Sequence, residues 1–184
     1  MQTILNVRKN KPSKKLSVEL CNFVFFDIET TGLRPDMGAK ITEVAILNRN
    51  SPIFLWKSDV ENLASKFQKA LPEVLETLKN GVVVGHNLSF DLWFISYEAD
   101  RIGLEGPDIR FIDTLSLSRQ VLPKRDSYTL GSLLNYFDIE VTGQLHSAET
   151  DAEAARALFW KLVEAGDIST VGEAGIKQLK WTNF

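Results

Sequence analysis

An apolar run ending in two acids, Phe23-Val24-Phe25-Phe26-Asp27-Ile28-Glu29-Thr30-Thr31-Gly32, constrains this chain more than any other stretch. Four large hydrophobic residues in succession fit a strand buried on both faces, at the centre of a sheet covered by helices. Side chains on a strand alternate between faces, so Asp27 and Glu29 point one way and Ile28 the other. In open α/β sheets, ligands gather at the carboxyl ends of such strands. Two carboxylates this close resist joint ionisation unless a cation lies between them. Hard oxygen donors of this kind suit Mg2+ or Mn2+. Thr30-Thr31-Gly32 then supplies a turn, where a glycine tolerant of positive φ lets the backbone approach a sugar or phosphate.

With 184 residues, 44% of them hydrophobic, the chain suffices for one well-buried core and is short for two ordinary domains. The expected organisation is a flexible basic arm over 1–20, a main domain over 21–165 and a C-terminal extension over 166–184. The arm sets Arg8, Lys9, Lys11, Lys14 and Lys15 against Glu19, which reads as a salt-sensitive nucleic-acid tether or, more plainly, a solvated tail. A net charge of −3 gives no global field for a polyanion, so such a partner needs local basic patches or metal ions. The lone Cys21 cannot form an internal disulfide, and no stretch reads as a signal peptide or membrane span. The expectation is a soluble intracellular protein, cytoplasmic or nucleoid-associated, of unspecified oligomeric state.

Strands over 40–47 and 53–56, joined by the turn Asn48-Arg49-Asn50-Ser51-Pro52, make an antiparallel set of three with the first. Ser58-Asp59-Val60-Glu61 has capping-box spacing and opens a helical stretch that Pro72 is expected to divide into two short helices. Gly81-Val82-Val83-Val84-Gly85 reads as a buried strand parallel to the first, followed by a helix over 89–102. Residues 110–114 read as a last short strand whose Asp113 caps a helix through Val121. A short helix over 129–137 and a strong one over 147–165 follow. The final residues, with Trp181, read as a small docked helix or a partner contact.

Asp91, in His86-Asn87-Leu88-Ser89-Phe90-Asp91, falls in the first turn of a helix, whose positive end favours its ionised form. His146 and Asp151 are five apart and would diverge by about 140° on one helix. They converge only if His146 sits in the preceding loop and Asp151 in the second turn. Trp93 could stack a base, but the buried face of its helix is the stronger reading.

These residues carry a resemblance. Asp27-x-Glu29 with Thr30-Thr31-Gly32-Leu33, then His86-Asn87-x-x-Phe90-Asp91, then His146-x-x-x-x-Asp151 resemble, in order and spacing, the DEDDh branch of the DnaQ-like exonucleases, over roughly residues 22–163. The resemblance implies an RNase H-like α/β fold, a mixed central sheet flanked by helices. It also implies 3′–5′ removal of nucleotides from DNA or RNA as nucleoside 5′-monophosphates. Two divalent cations, Mg2+ or Mn2+, are implied: Asp27 bridges both, Glu29 and Asp151 complete the first site, and Asp91 acts largely through bound water. His146 would take the proton from the attacking water. Thr30, Thr31, Gly32 and Leu33 would hold the terminal nucleotide, with Leu33 wedged against the last base, and His86 and Phe90 would line the same pocket.

The implied partner is nucleic acid with a free 3′ end, single-stranded DNA ahead of RNA, with a polymerase or other processing complex as a protein partner and no membrane. The His-Gly-Ile segment usual in proofreading relatives is absent, since Trp56-Lys57 leads almost directly to the capped helix. Two alternatives stand beside this reading. One is a noncatalytic nucleic-acid-binding or complex-forming module on the same fold, and the other a haloacid-dehalogenase-type phosphatase with Asp27 as its strand-end nucleophile.

Overall fold

The computed structural model describes residues 14–58 and 63–181. Among them six strands form one sheet: β1 (Phe23–Thr30), β2 (Ile41–Leu47), β3 (Pro52–Lys57), β4 (Val82–Gly85), β5 (Ile109–Asp113) and β6 (Lys177–Leu179), in the order β3-β2-β1-β4-β5-β6. β1, β2 and β3 pair antiparallel, β1, β4 and β5 pair parallel, and β6 returns antiparallel to β5. The expected mixed sheet is therefore present, with β6 as an addition. Residues 110–114 are not the last strand, and Trp181 follows a strand instead of a small helix. The ring of Trp181 lies so close to Gly106 that a Cβ there would stand 2.4 Å from it.

Strand alternation divides the core. Phe23 and Phe25 of β1, with Val82, Val84 and Ile112, face the helix α5 (Ala148–Ala165) through Leu158, Phe159 and Leu162. Val24, Phe26 and Ile28 face the opposite layer, made by α1 (Leu63–Lys79) and α2 (Leu88–Arg101). Two shorter helices, α3 (Thr114–Val121) and α4 (Leu130–Tyr136), complete the α5 side. Asp113 caps α3 as expected, accepting from the Leu115 N–H at 3.0 Å. Among the described residues no helix is long and apolar enough to cross a membrane.

Pro72 does not divide α1, which runs through it as one helix. Phe67, Leu71, Val74, Leu75 and Leu78 form one continuous buried stripe, while Pro72 is exposed. The carbonyl that proline leaves without a partner thus falls on the solvent side, and the stripe holds the helix together. Residues 59–61 of the capping-box reading lie outside the described residues. So do residues 1–13 of the basic arm, but residues 14–20 meet the domain. Gly172 and Val171 donate N–H bonds of 2.9 Å to the carbonyls of Lys14 and Leu16, and Val18 is buried. Ile168, Val171 and Ala174, beyond Gly166, join the same core.

Candidate active site

The site forms where β1 outruns its neighbour. Pairing with β4 ends at Phe25↔Val84, whereas β1 continues to Thr30 against β2 alone. Along this unpaired edge the Ile28 N–H donates to Asp91 Oδ1 at 3.1 Å, so the first turn of α2 closes over the strand end. Gly85 permits that approach, since a Cβ there would stand 2.6 Å from the Phe26 carbonyl oxygen.

Asp27 and Glu29 continue the face of β1 that carries Phe23 and Phe25, toward α5. Ala148 and Ala152, small and buried, let the start of α5 approach the sheet. Ser147 caps that helix by accepting from the Thr150 N–H at 3.3 Å. His146 stands just before the cap in a left-handed conformation, φ 75°, and its N–H donates to Asp151 Oδ1 at 3.3 Å. Asp151 lies in the first turn of α5, where the second turn was expected, because the helix begins one residue later, at Ala148. A ligating atom each from Glu29, His146 and Asp151 lie within 4.8 Å of one another.

The electrostatics agree with this convergence. Burial pushes the Asp27 carboxyl well above the usual carboxylate range, and the charges of Asp91, Asp151, Glu29 and Glu43 push it further. Burial likewise raises Asp91, although its own backbone N–H and that of Ile28 favour the ionised form. Glu29 is raised by burial and then by Asp151 and Glu43. Asp151 is raised by burial, opposed by the His146 N–H and imidazole. Such a set of carboxylates with a histidine at its rim has the donor chemistry of a hard divalent-cation site.

Sequence reasoning missed Glu43. It lies directly across the antiparallel pair from Glu29, accepts from the Ala148 N–H at 3.3 Å and is ion-paired to Lys57 of β3. It thereby ties β2 to the first residue of α5. The signal was a lone acid inside the apolar run of β2, legible only once the register opposite Glu29 is known.

The residues expected to hold a nucleotide fall into two groups. Thr31 closes the turn against Lys40, its N–H donating to the Lys40 carbonyl at 2.8 Å and its Oγ1 accepting from the Lys40 N–H at 2.9 Å. Thr30 Oγ1 donates to the Gly32 carbonyl at 2.7 Å, and Leu33 projects, 78% exposed. Beyond this turn Gly38, φ 97°, ends a short 3-10 turn over Pro35–Met37. Phe90 is half-buried, its ring centroid 4.9 Å from that of Phe94. His86 is held by protein at both nitrogens, Nδ1 at 2.9 Å from Thr114 Oγ1 and Nε2 at 3.0 Å from the Tyr128 carbonyl oxygen. Burial lowers its pKa, opposed by Asp113 and by the bond to Tyr128. Trp93, expected in the core, is 39% exposed, because the buried arc of α2 is occupied by Leu88, Leu92, Ile95 and Ala99.

Comparison with known proteins places the chain in a family. Residues 56–159, more than half of the chain, match the family model RNase_T, described as Exonuclease; the match takes in Asp91, His146 and Asp151. The chain belongs to this exonuclease family, the DnaQ-like group that its motifs resemble, and its helix-flanked mixed sheet is the RNase H-like fold. It is 32% identical to the 3′-5′ exonuclease DinG of Bacillus subtilis (strain 168) over 77% of its length, covering 18% of that protein. It is 33% identical to the PolC-type DNA polymerase III of Oceanobacillus iheyensis over 77% of its length, covering 11% of that protein. The chain thus spans less than a fifth of these curated relatives. S. pombe Pop2p in its Mg2+- and Mn2+-bound form shares the fold, with a TM-score of 0.55, 14% identity and coverage of 82% of this chain and 87% of that one. Membership of a hydrolytic nuclease family disfavours both the binding-module and the phosphatase alternatives.

Proposed function

We propose that this protein is a metal-dependent 3′–5′ exonuclease that hydrolyses the terminal phosphodiester of DNA or RNA and releases nucleoside 5′-monophosphates. The observation that carries this reading is the gathering of Asp27, Glu29, Asp91 and Asp151 at one strand end, with His146 beside Glu29 and Asp151. Asp27, Glu29 and Asp151 would hold two Mg2+ or Mn2+ ions, with Asp91 contributing through water. When bound, the ions supply charge neutralisation at the phosphoryl group, acidify the attacking water and stabilise the departing 3′ oxygen. His146, with its backbone fixed by Asp151 and its ring at the solvent edge, accepts the proton of the attacking water. The strained φ at His146 fits a residue whose orientation serves the reaction.

The turn at Thr30, Thr31 and Gly32 receives the terminal sugar, Leu33 meets the last base, and Phe90 forms the pocket wall. His86, engaged at both nitrogens, shapes that pocket by holding the loop in place. The relatives DinG and PolC support the 3′–5′ direction, and the latter supports association with a polymerase. The test is digestion of matched 5′-labelled DNA and RNA, single-stranded and duplex, with Mg2+ and with Mn2+. The expected result is metal-dependent shortening from the 3′ end with nucleoside 5′-monophosphates as product. Release of inorganic phosphate, or no turnover with either ion on any substrate, would reject the proposal.

A further inference from the structure

With a net charge of −3, the chain has no general attraction for a polyanion, so uncompensated cations stand out. Arg119 at the end of α3, with Lys124 and Arg125 in the connection from α3 to α4, are three such groups. Among the described residues none of them is ion-paired to a carboxylate. The Arg125 guanidinium lies 4.1 Å from the ring centroid of Tyr136, which is itself 51% exposed. Arg119 lies 5.8 Å from the centroid of Tyr128. An arginine resting on an aromatic ring loses less freedom when its remaining donors engage a phosphate, and an exposed ring can stack a base.

The shape of this connection is imposed by the fold. Tyr128 Oη donates to the Leu122 carbonyl at 2.6 Å and accepts from the Arg125 N–H at 3.2 Å, cinching the loop. Lys124 is held at φ 68°, a conformation that lysine seldom adopts unaided. The Tyr128 carbonyl binds His86, which directly follows β4 and opens the segment carrying Asp91. The cationic loop is thus fastened to the loop that delivers one of the site's acids.

We propose that the α3–α4 connection, through Arg119, Lys124, Arg125 and the exposed ring of Tyr136, is the track for single-stranded nucleic acid on the 5′ side of the terminal nucleotide. This rests on the exonuclease reading and adds where the rest of the strand lies. Because the cations act on phosphates beyond the terminal linkage, the track governs affinity for long strands and leaves the chemistry alone.

The test compares wild type with the double variant Arg119→Ala/Lys124→Ala, both side chains being exposed, on a dinucleotide and on a long single strand across a salt series. The double variant is expected to raise KM for the long strand on the order of 10-fold at low salt and to flatten the log–log salt slope by roughly 1.4, the value for two lost phosphate contacts on a single strand. Its kcat and its turnover of the dinucleotide should match wild type. Arg125→Ala, followed with its melting temperature, should shift KM the same way without unfolding. An unchanged KM and salt slope for the long strand would overturn the track, as would an equal loss on the dinucleotide. If wild type turns over neither substrate, the exonuclease reading fails, and anisotropy of the labelled strand with the same variants tests the track separately.

Discussion

The carboxylate of Asp91 accepts the N–H of Ile28, and this bond joins two elements that the sequence separates by more than sixty residues. Asp91 thereby has two jobs, closing an otherwise unpaired strand edge and placing a charge beside Asp27. The jobs are separable by substitution. Asn keeps an acceptor for Ile28 and loses the charge, so Asp91→Asn should abolish turnover without destabilising the fold. Ala leaves a buried N–H unsatisfied and should destabilise the fold by about 1–3 kcal/mol in denaturant unfolding. Equal stability of the two variants would show that the bond does not matter to the fold.

Acid crowding predicts a pH signature in metal-free protein. Burial and neighbouring charges raise Asp27 and Asp91, so each favours the fold only when protonated. That contribution is fully present below the ordinary carboxylate value, about 3.9, and is lost as pH rises through the raised folded value. Asp27→Asn stays neutral throughout. The variant should therefore melt above wild type near neutral pH with chelator present, and the difference should shrink on acidification. A variant that melts lower than wild type at neutral pH would contradict the crowding.

His146→Ala tests the proton acceptor. Turnover at saturating Mg2+ should fall on the order of 10²–10⁴-fold, the usual worth of a general base, while oligonucleotide binding persists. Retention of near wild-type turnover would remove His146 from the chemistry.

Glu43 and Lys57 predict an effect on positioning. Glu43→Gln retains an acceptor for the Ala148 N–H, whereas Glu43→Ala leaves the start of α5 unsupported. Turnover should drop more in the Ala variant than in the Gln variant. If the two drop equally, charge and not anchorage is the contribution of Glu43.

Much of this was legible in the sequence because short-range rules sufficed. The apolar run ending at Asp27 fixed the central strand, and alternation put Asp27 and Glu29 on one face. The helix expected from residue 147 left His146 outside it, which is why the two residues five apart can meet. What escaped depended on long-range placement. Pro72 was expected to break α1, but only the tertiary stripe shows that it faces solvent. β6 is three residues long and gains its meaning from pairing with β5. Glu43 needed the register opposite Glu29, and the two partners of His86 come from segments far along the chain. Trp93 fell on the far side of α2 because its neighbours fill the buried arc.

The most direct test of the account is a side-by-side assay of wild type and Asp27→Asn on a single strand with a free 3′ hydroxyl at saturating Mg2+. Asp27 stands at the centre of the cluster, and removing its charge should cost the cation site far more than it costs packing. Wild type should shorten the strand one nucleotide at a time from its 3′ end, and Asp27→Asn, folded and melting no lower, should leave it intact. Cleavage by Asp27→Asn at near wild-type rate would contradict the claim that these carboxylates form the catalytic cation site.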